Sequence, residues 1–327
     1  MSEQGLTEAE PAPRVLVHIG AGIGNVVLAT PLIVALDELG LRVDLWLSAD
    51  YADTHTLLRD WSLVETIHCD GEAIDLGRYH RLLPALPPFY WPRYARTYAR
   101  YGTAVPRPPD TRFHANEQGW YLDFARALGW SGDRPPVYRL PIAAATDPRL
   151  GSRSLAIVPG CKTGEMRAKR WPGFVALASR FADVLVLGSA DDLHDGHGRV
   201  LCFPGHVRML AGMLSLRETA EALAAAAVVV GNDSGLSHVA AATGTPTVML
   251  FGPTPDIALG PLPANVQVLR TGLDCEPCWF GARLGACAGR VDCLHRLSVE
   301  RVVAAVSRVL GDGDGGSFGA AGCKVSR

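Results

Sequence analysis

Nothing in the 327 residues is apolar over a long stretch: no run reaches the ~18 residues that a membrane-spanning helix needs. A strong global charge is missing as well. The formal net charge is -2, so no basic field points to nucleic acid as a partner. The opening "MSEQGLTEAEPAP" has neither the basic start nor the apolar centre of a signal peptide. A cytoplasmic address is therefore expected. In that reducing compartment eight cysteines read as thiols or metal ligands rather than disulfides.

What is present is an ordinary globular composition, 48% hydrophobic and 20% charged. The length is near the limit for one core, so two domains are expected. Strand and helix patterns alternate along most of the chain. "RVLVHI" (14–19) is a buried strand running into glycines, "NVVLATPLIVALDEL" (25–39) reads as one helix, and "LRVDLWLS" (41–48) as the next strand. A Pro/Ala/Asp/Gly/Ser-rich stretch (140–154) reads as a linker. Beyond it, 155–160, 183–189, 226–233 and 245–253 read as buried strands, with helices near 172–181, 216–225 and 234–243. The predicted fold is α/β: two Rossmann-like, doubly wound domains (14–140 and 154–310) facing across a cleft. Ligand sites are expected at the carboxyl ends of the strands. The termini, 1–13 and 311–327, read as disordered tails.

The first glycine loop, Gly20-Ala-Gly22-Ile-Gly24-Asn25, lacks the third glycine of a dinucleotide fingerprint, because position 25 is asparagine. Asp50 near the second strand is weak support for a ribose contact, so a nicotinamide oxidoreductase is disfavoured. The turn "GNDSGLSHVAAATGTP" (231–246) carries more chemistry. Asp233 or Ser234 can cap a helix there, and Gly235 lets a ligand approach the backbone. The free N–H groups suit a diphosphate, with His238 one turn in. After the second domain's first strand, the loop 159–174 adds Lys162, Arg167, Lys169 and Arg170 as phosphate-neutralising cations. Residues 78–112 hold seven arginines, seven aromatics and no lysine. Tyr94, Tyr98 and Tyr101 share one helical face and Arg93, Arg96 and Arg100 another. Such a segment is either a packed helix with a solvated basic face or a surface for an anionic or membrane-associated acceptor.

"GIGNVVLATP", "PG…KRWPGF", "GNDSGLSHVAAATGTPTVMLFGPT" and the cysteines that follow resemble, in order, glycosyltransferase family 9, the ADP-heptose:lipopolysaccharide heptosyltransferases. The resemblance implies a GT-B fold, with an acceptor domain first and a nucleotide-sugar donor domain second. It further implies inverting transfer from ADP-heptose or a similar donor without a catalytic cofactor, in the cytoplasm or peripherally at the inner membrane. By the family's pattern Lys169, Asp233, Ser234, Gly235 and His238 hold the donor diphosphate. Gly22 and Gly24 face it from across the cleft, and Arg170 adjoins Lys169.

One departure bears on catalysis. The family usually has an aspartate, thought to be the general base, where this chain has Asn25, and an amide cannot usefully accept the acceptor's proton. Asn25 then orients groups while Asp110, His114 or Glu117 supplies the base, or the protein is a sugar-nucleotide binder without turnover. Finally, Cys275-x2-Cys278-x8-Cys287-x5-Cys293 is either a set of separate thiols or a structural zinc or iron site.

Overall fold

The computed structural model describes residues 12–87, 90–100, 116–133, 135–150, 154–161, 168–278, 287 and 290–311. The two expected tails (1–11 and 312–327 of them), Tyr101, Asp110, His114, Lys162 and Arg167 lie outside the described residues. The first half holds β1 (Arg14–Ile19), α1 (Ile23–Leu28), α2 (Thr30–Glu38), β2 (Arg42–Leu47), α3 (His55–Leu58), β3 (Thr66–Cys69), β4 (Arg81–Pro84), α4 (Trp91–Arg100) and α5 (Glu117–Ala127). The second holds β5 (Leu155–Val158), α6 (Phe174–Ala178), β6 (Val184–Val186), β7 (Arg208–Met209), α7 (Leu216–Ala225), β8 (Val228–Asn232), α8 (Gly235–Ala242), β9 (Thr247–Leu250), β10 (Val266–Leu269), α9 (Asp292–His295) and α10 (Val299–Leu310).

Each half is built on a parallel sheet, ordered β3-β2-β1-β4 and β10-β9-β8-β5-β6-β7. Both orders contain a switch point. In the first, successive strands leave β1 on both sides; in the second, β6 and β7 extend from one side of β5 while β8, β9 and β10 extend from the other. A crevice opens at the carboxyl ends of strands whose connections diverge in this way. The chain therefore puts the loop after β1 on one wall, and the loops after β5 and β8 on the other.

The helix read over 25–39 is two helices. Pro31 has no N–H to donate into a preceding turn, so the chain breaks at Ala29 and Pro31 falls in the opening turn of α2. Side chains of β1 alternate as a strand requires. Val15, Val17 and Ile19 enter a core that continues into Val158, Leu223 and Val239 of the second half. Leu16 packs on the opposite face with Trp46, Tyr94 and Tyr98. Helix α4 thus buries Tyr94 and Tyr98 against the sheet and leaves Arg93, Arg96 and Arg100 exposed.

On that same face lies His18, fully buried, stacked on Trp46 at 3.7 Å between ring centroids. Its Nδ1 lies 2.8 Å from the Tyr98 hydroxyl and its Nε2 3.2 Å from that of Ser48. Burial, reinforced by the Arg93 cation, lowers its pKa from 6.5 to about 3. Unfolding releases an imidazole that binds a proton below pH 6.5. The stability gained by keeping the ring neutral is complete above that pH and is lost as pH falls towards 3. The free energy of unfolding by urea should accordingly fall over this window, and fall less steeply in His18→Phe. Equal slopes for the two proteins would refute a neutral buried His18.

Candidate functional site

The switch-point loops enclose a cavity of about 870 Å³ whose walls come from both halves. Gly22, Gly24, Asn25, Tyr51 and Glu117 line it from the first half, and Lys169, Asp192, Asp233, Ser234, Gly235 and His238 from the second. The two walls meet where α1 and α8 begin. A Cβ on Gly24 would lie 3.6 Å from the Gly235 Cα, and one on Gly235 would lie 2.8 Å from the Ile23 Cβ. At Gly235 there is no room for a side chain between the two helix starts.

The second wall is rigid because Asn232 ties its loops together. Its Nδ2 donates to the Pro159 carbonyl at 2.7 Å, and its Oδ1 accepts the Trp171 N–H at 2.9 Å. Ser237 Oγ donates to the Asn232 carbonyl at 2.7 Å, fixing the turn into α8. On this base sit three buried ionisable side chains. Lys169 Nζ donates to Asp233 Oδ2, and His238 Nε2 lies 3.5 Å from Asp233 Oδ1. Burial pushes the Asp233 carboxyl up, but Lys169 and His238 together outweigh it and hold it below the usual carboxylate range. Tyr138, from the segment joining the halves, places its hydroxyl 3.2 Å from His238 Nδ1. Burial raises the Tyr138 phenol, so it keeps its proton. Donated to Nδ1, that proton leaves the imidazole's own on Nε2, the nitrogen facing Asp233. Ser234 is the N-cap of α8 and caps none of its first N–H groups with its side chain, and Ser234, Gly235 and Leu236 line the cavity.

Arg170 belongs to the frame. It does not line the cavity but is buried behind it, donating to the carbonyls of Asp191 and His194 at 2.7 and 2.8 Å and pairing with Asp192 at 3.2 Å. Both terminal nitrogens of the guanidinium are committed to these partners.

Asn25, the departure at the first glycine loop, has an unexpected partner. Its Nδ2 donates to Glu117 Oε1 at 2.6 Å, and the Tyr121 hydroxyl donates to the same oxygen at 2.6 Å. Desolvation raises the Glu117 carboxyl, against the lowering effect of these two bonds. Asn116 caps α5 by accepting the Gly119 N–H at 2.7 Å, which sets where Glu117 begins the helix. Gln118 Nε2 then donates to the carbonyls of Leu259 and Pro261 at 2.9 and 3.0 Å, docking this turn on the second half.

The cysteines do not join the site. Among the described residues no three His, Cys, Asp or Glu side chains form a group that could hold a metal ion. A structural zinc or iron held by Cys275, Cys278, Cys287 and Cys293 is accordingly a proposal and not a feature of the described residues. Cys275 is exposed, Cys278 and Cys287 are half-buried, and Cys293 turns into the core of the second half at α9. There its Sγ would lie 3.0 Å from a Cβ on Gly252, and burial raises its thiol pKa to about 12.

Residues 139–282, which carry Lys169, Asp233 and His238, match the model of glycosyltransferase family 9 (heptosyltransferase). Over that stretch the chain is similar to glycosyltransferase family 9. Over 132 residues the chain is 34% identical to lipooligosaccharide heptosyltransferase 2 of Haemophilus influenzae; the alignment spans 37% of this chain and 38% of that relative. The structure is similar to that of Escherichia coli ADP-heptose LPS heptosyltransferase II, with TM-score 0.66 at 22% identity over 91% of this chain and 98% of the other. It is also similar to the dodecameric iron-containing heptosyltransferase TibC of enterotoxigenic E. coli in complex with ADP-D-beta-D-heptose, with TM-score 0.63 at 18% identity over 92% and 77% of the two chains. The chain therefore has the GT-B fold, two parallel sheets facing across a cleft.

The contact between the helix starts can be tested directly. Gly235→Ala puts a methyl where Ile23 and the Gly24 N–H already stand, at 2.8 and 3.1 Å. Forced overpacking of this kind costs about 1–3 kcal/mol. Urea unfolding should show that loss; an unchanged midpoint would mean that the two walls do not touch in solution.

Proposed function

We propose that this protein is a glycosyltransferase that moves a heptose from ADP-heptose to a hydroxyl acceptor. The observation that carries the reading is the Lys169–Asp233–His238 array at the start of the eight-residue helix α8, opening into a cavity walled by both halves. A helix start supplies N–H donors and positive potential, and Lys169 adds a full charge, which together suit a diphosphate. The imidazole Nε2–H adds a donor. The same array lies in the stretch that matches the family model, and TibC, similar in fold, is described in complex with ADP-D-beta-D-heptose. Leu214, Leu216 and Leu236 give the same cavity an apolar side suited to a nucleobase.

In this reading the sugar lies between the diphosphate and the first-half wall, and the acceptor enters from that wall. The exposed arginines of α4 favour an anionic acceptor or a membrane surface, and the reaction takes place on the cytoplasmic side. Among the described residues no helix is long and apolar enough to cross a membrane. Catalysis is assigned to the chain's own side chains.

The test is calorimetric. ADP should bind the native chain, and Lys169→Ala or His238→Ala should weaken it by about 1–3 kcal/mol, the worth of a hydrogen bond to a charged group. Affinity unchanged in both variants would remove the nucleotide from this site. A screen of hydroxyl acceptors with ADP-heptose, read by mass spectrometry, should return a heptosylated product.

A further inference from the structure

Resting on that reading, we propose that Glu117 is the general base of the transfer, and that Asn25 and Tyr121 hold its carboxylate for the task. The two donors converge on Oε1, 2.6 Å from each, and the carboxylate lines the cavity that also holds Lys169 and His238. Oε2 takes the proton of the acceptor hydroxyl. The acceptor oxygen forms its bond to the anomeric carbon with the electron pair so released. The bond from that carbon to the diphosphate oxygen breaks, and its electron pair leaves with ADP. Charge and protons balance without a further reactant.

The pairing also gives a reason for the asparagine. The Asn25 Oδ1 is turned towards Gly22, where an added Cβ would lie only 2.7 Å away, and this turns the amide nitrogen towards Glu117. An aspartate at 25 would set two carboxylates at hydrogen-bond distance, and like charges so placed cannot both stay ionised. An amide at 25 and a carboxylate at 117 are therefore matched: one position donates because the other accepts.

Glu117 is surrounded on several sides by groups that act on its proton. Tyr121 on its own helix and Asn25 on α1 stabilise the anion, His238 on α8 does the same, and Asp233 before α8 opposes it. Asp37 and Glu38 sit at the far end of α2, where Glu38 accepts the Trp130 indole N–H at 2.6 Å. The facing loop, residues 259–261, carries no titratable side chain.

The experiment uses the full chain, ADP-heptose with water as acceptor, and ADP binding as a control. Glu117→Gln should slow ADP release from ADP-heptose about 100-fold or more, the scale of a lost general base, while ADP affinity stays within about threefold. The reciprocal pair Asn25→Asp with Glu117→Gln, which returns one carboxylate to the same hydrogen bond, should regain about tenfold or more over Glu117→Gln alone. A second measurement needs no turnover. Followed by carbon NMR, the native Glu117 carboxyl should titrate above the ordinary glutamate range, and higher again in Asn25→Ala, which lacks the amide donor. Glu117→Gln turning over within about threefold of the native rate, or a Glu117 titration that Asn25→Ala leaves unmoved, overturns the assignment. A native chain that fails to bind ADP overturns the nucleotide reading instead.

Discussion

Everything at the site depends on how closely α1 and α8 can start. At Gly24 and Gly235 the two helix starts meet, with the Ile23 side chain and the Gly24 N–H set against Gly235. That contact fixes the distance from the first wall to the second, and so brings Glu117 within electrostatic reach of His238 and Asp233 although they belong to different sheets. The continuous core that joins Val17 and Val26 to Leu223 and Val239 supports the same geometry from below. A site between two halves needs such a stop, because neither sheet alone sets the width of the crevice.

Buried charge is the second organising element. Lys169, Asp233 and His238 lie almost out of solvent, where an ion pair recovers its desolvation only if its geometry is fixed. Asn232 supplies that fixity by holding the loop after β5 and Trp171, ahead of α6, to the end of β8. Arg170 supplies it on the next loop, where it binds two carbonyls and the Asp192 carboxylate. Two cations adjacent in sequence thus do different work: one faces the cavity and the other braces the loop behind it.

The fold was largely legible in the sequence, since short apolar strands alternating with helix-length patterns have few other solutions. Edge strands such as β7 and β10, only half-buried and without a long apolar run, left weaker marks. The second wall of the site could be read from N-D-S-G-x-x-H and K-R-W-P, because a helix start and its cations lie close together in sequence. Glu117 was visible only as one of three acidic or basic candidates near 110–117. Its partnership with Asn25 spans 92 positions, and no local pattern encodes a contact of that range. Tyr138 left no signal at all: it stands ahead of the linker in no motif until the fold lays it against His238. The cysteine spacing does carry into space in part, since Cys278 and Cys287 lie within electrostatic reach of Cys293.

The segment joining the halves is more than a tether. Arg139 N–H donates to the Thr30 hydroxyl of α2 at 3.2 Å, Leu140 N–H to the Ala242 carbonyl of α8 at 3.0 Å, and Ala145 N–H to the Glu221 carbonyl of α7 at 2.9 Å. Tyr138 from the same segment reaches into the site itself. The halves are consequently not interchangeable modules. A chimera that borrows its second half from a protein of the same fold has to take residues 138–145 with it, because the crossover is stitched to that half and carries one of the groups that orient its histidine.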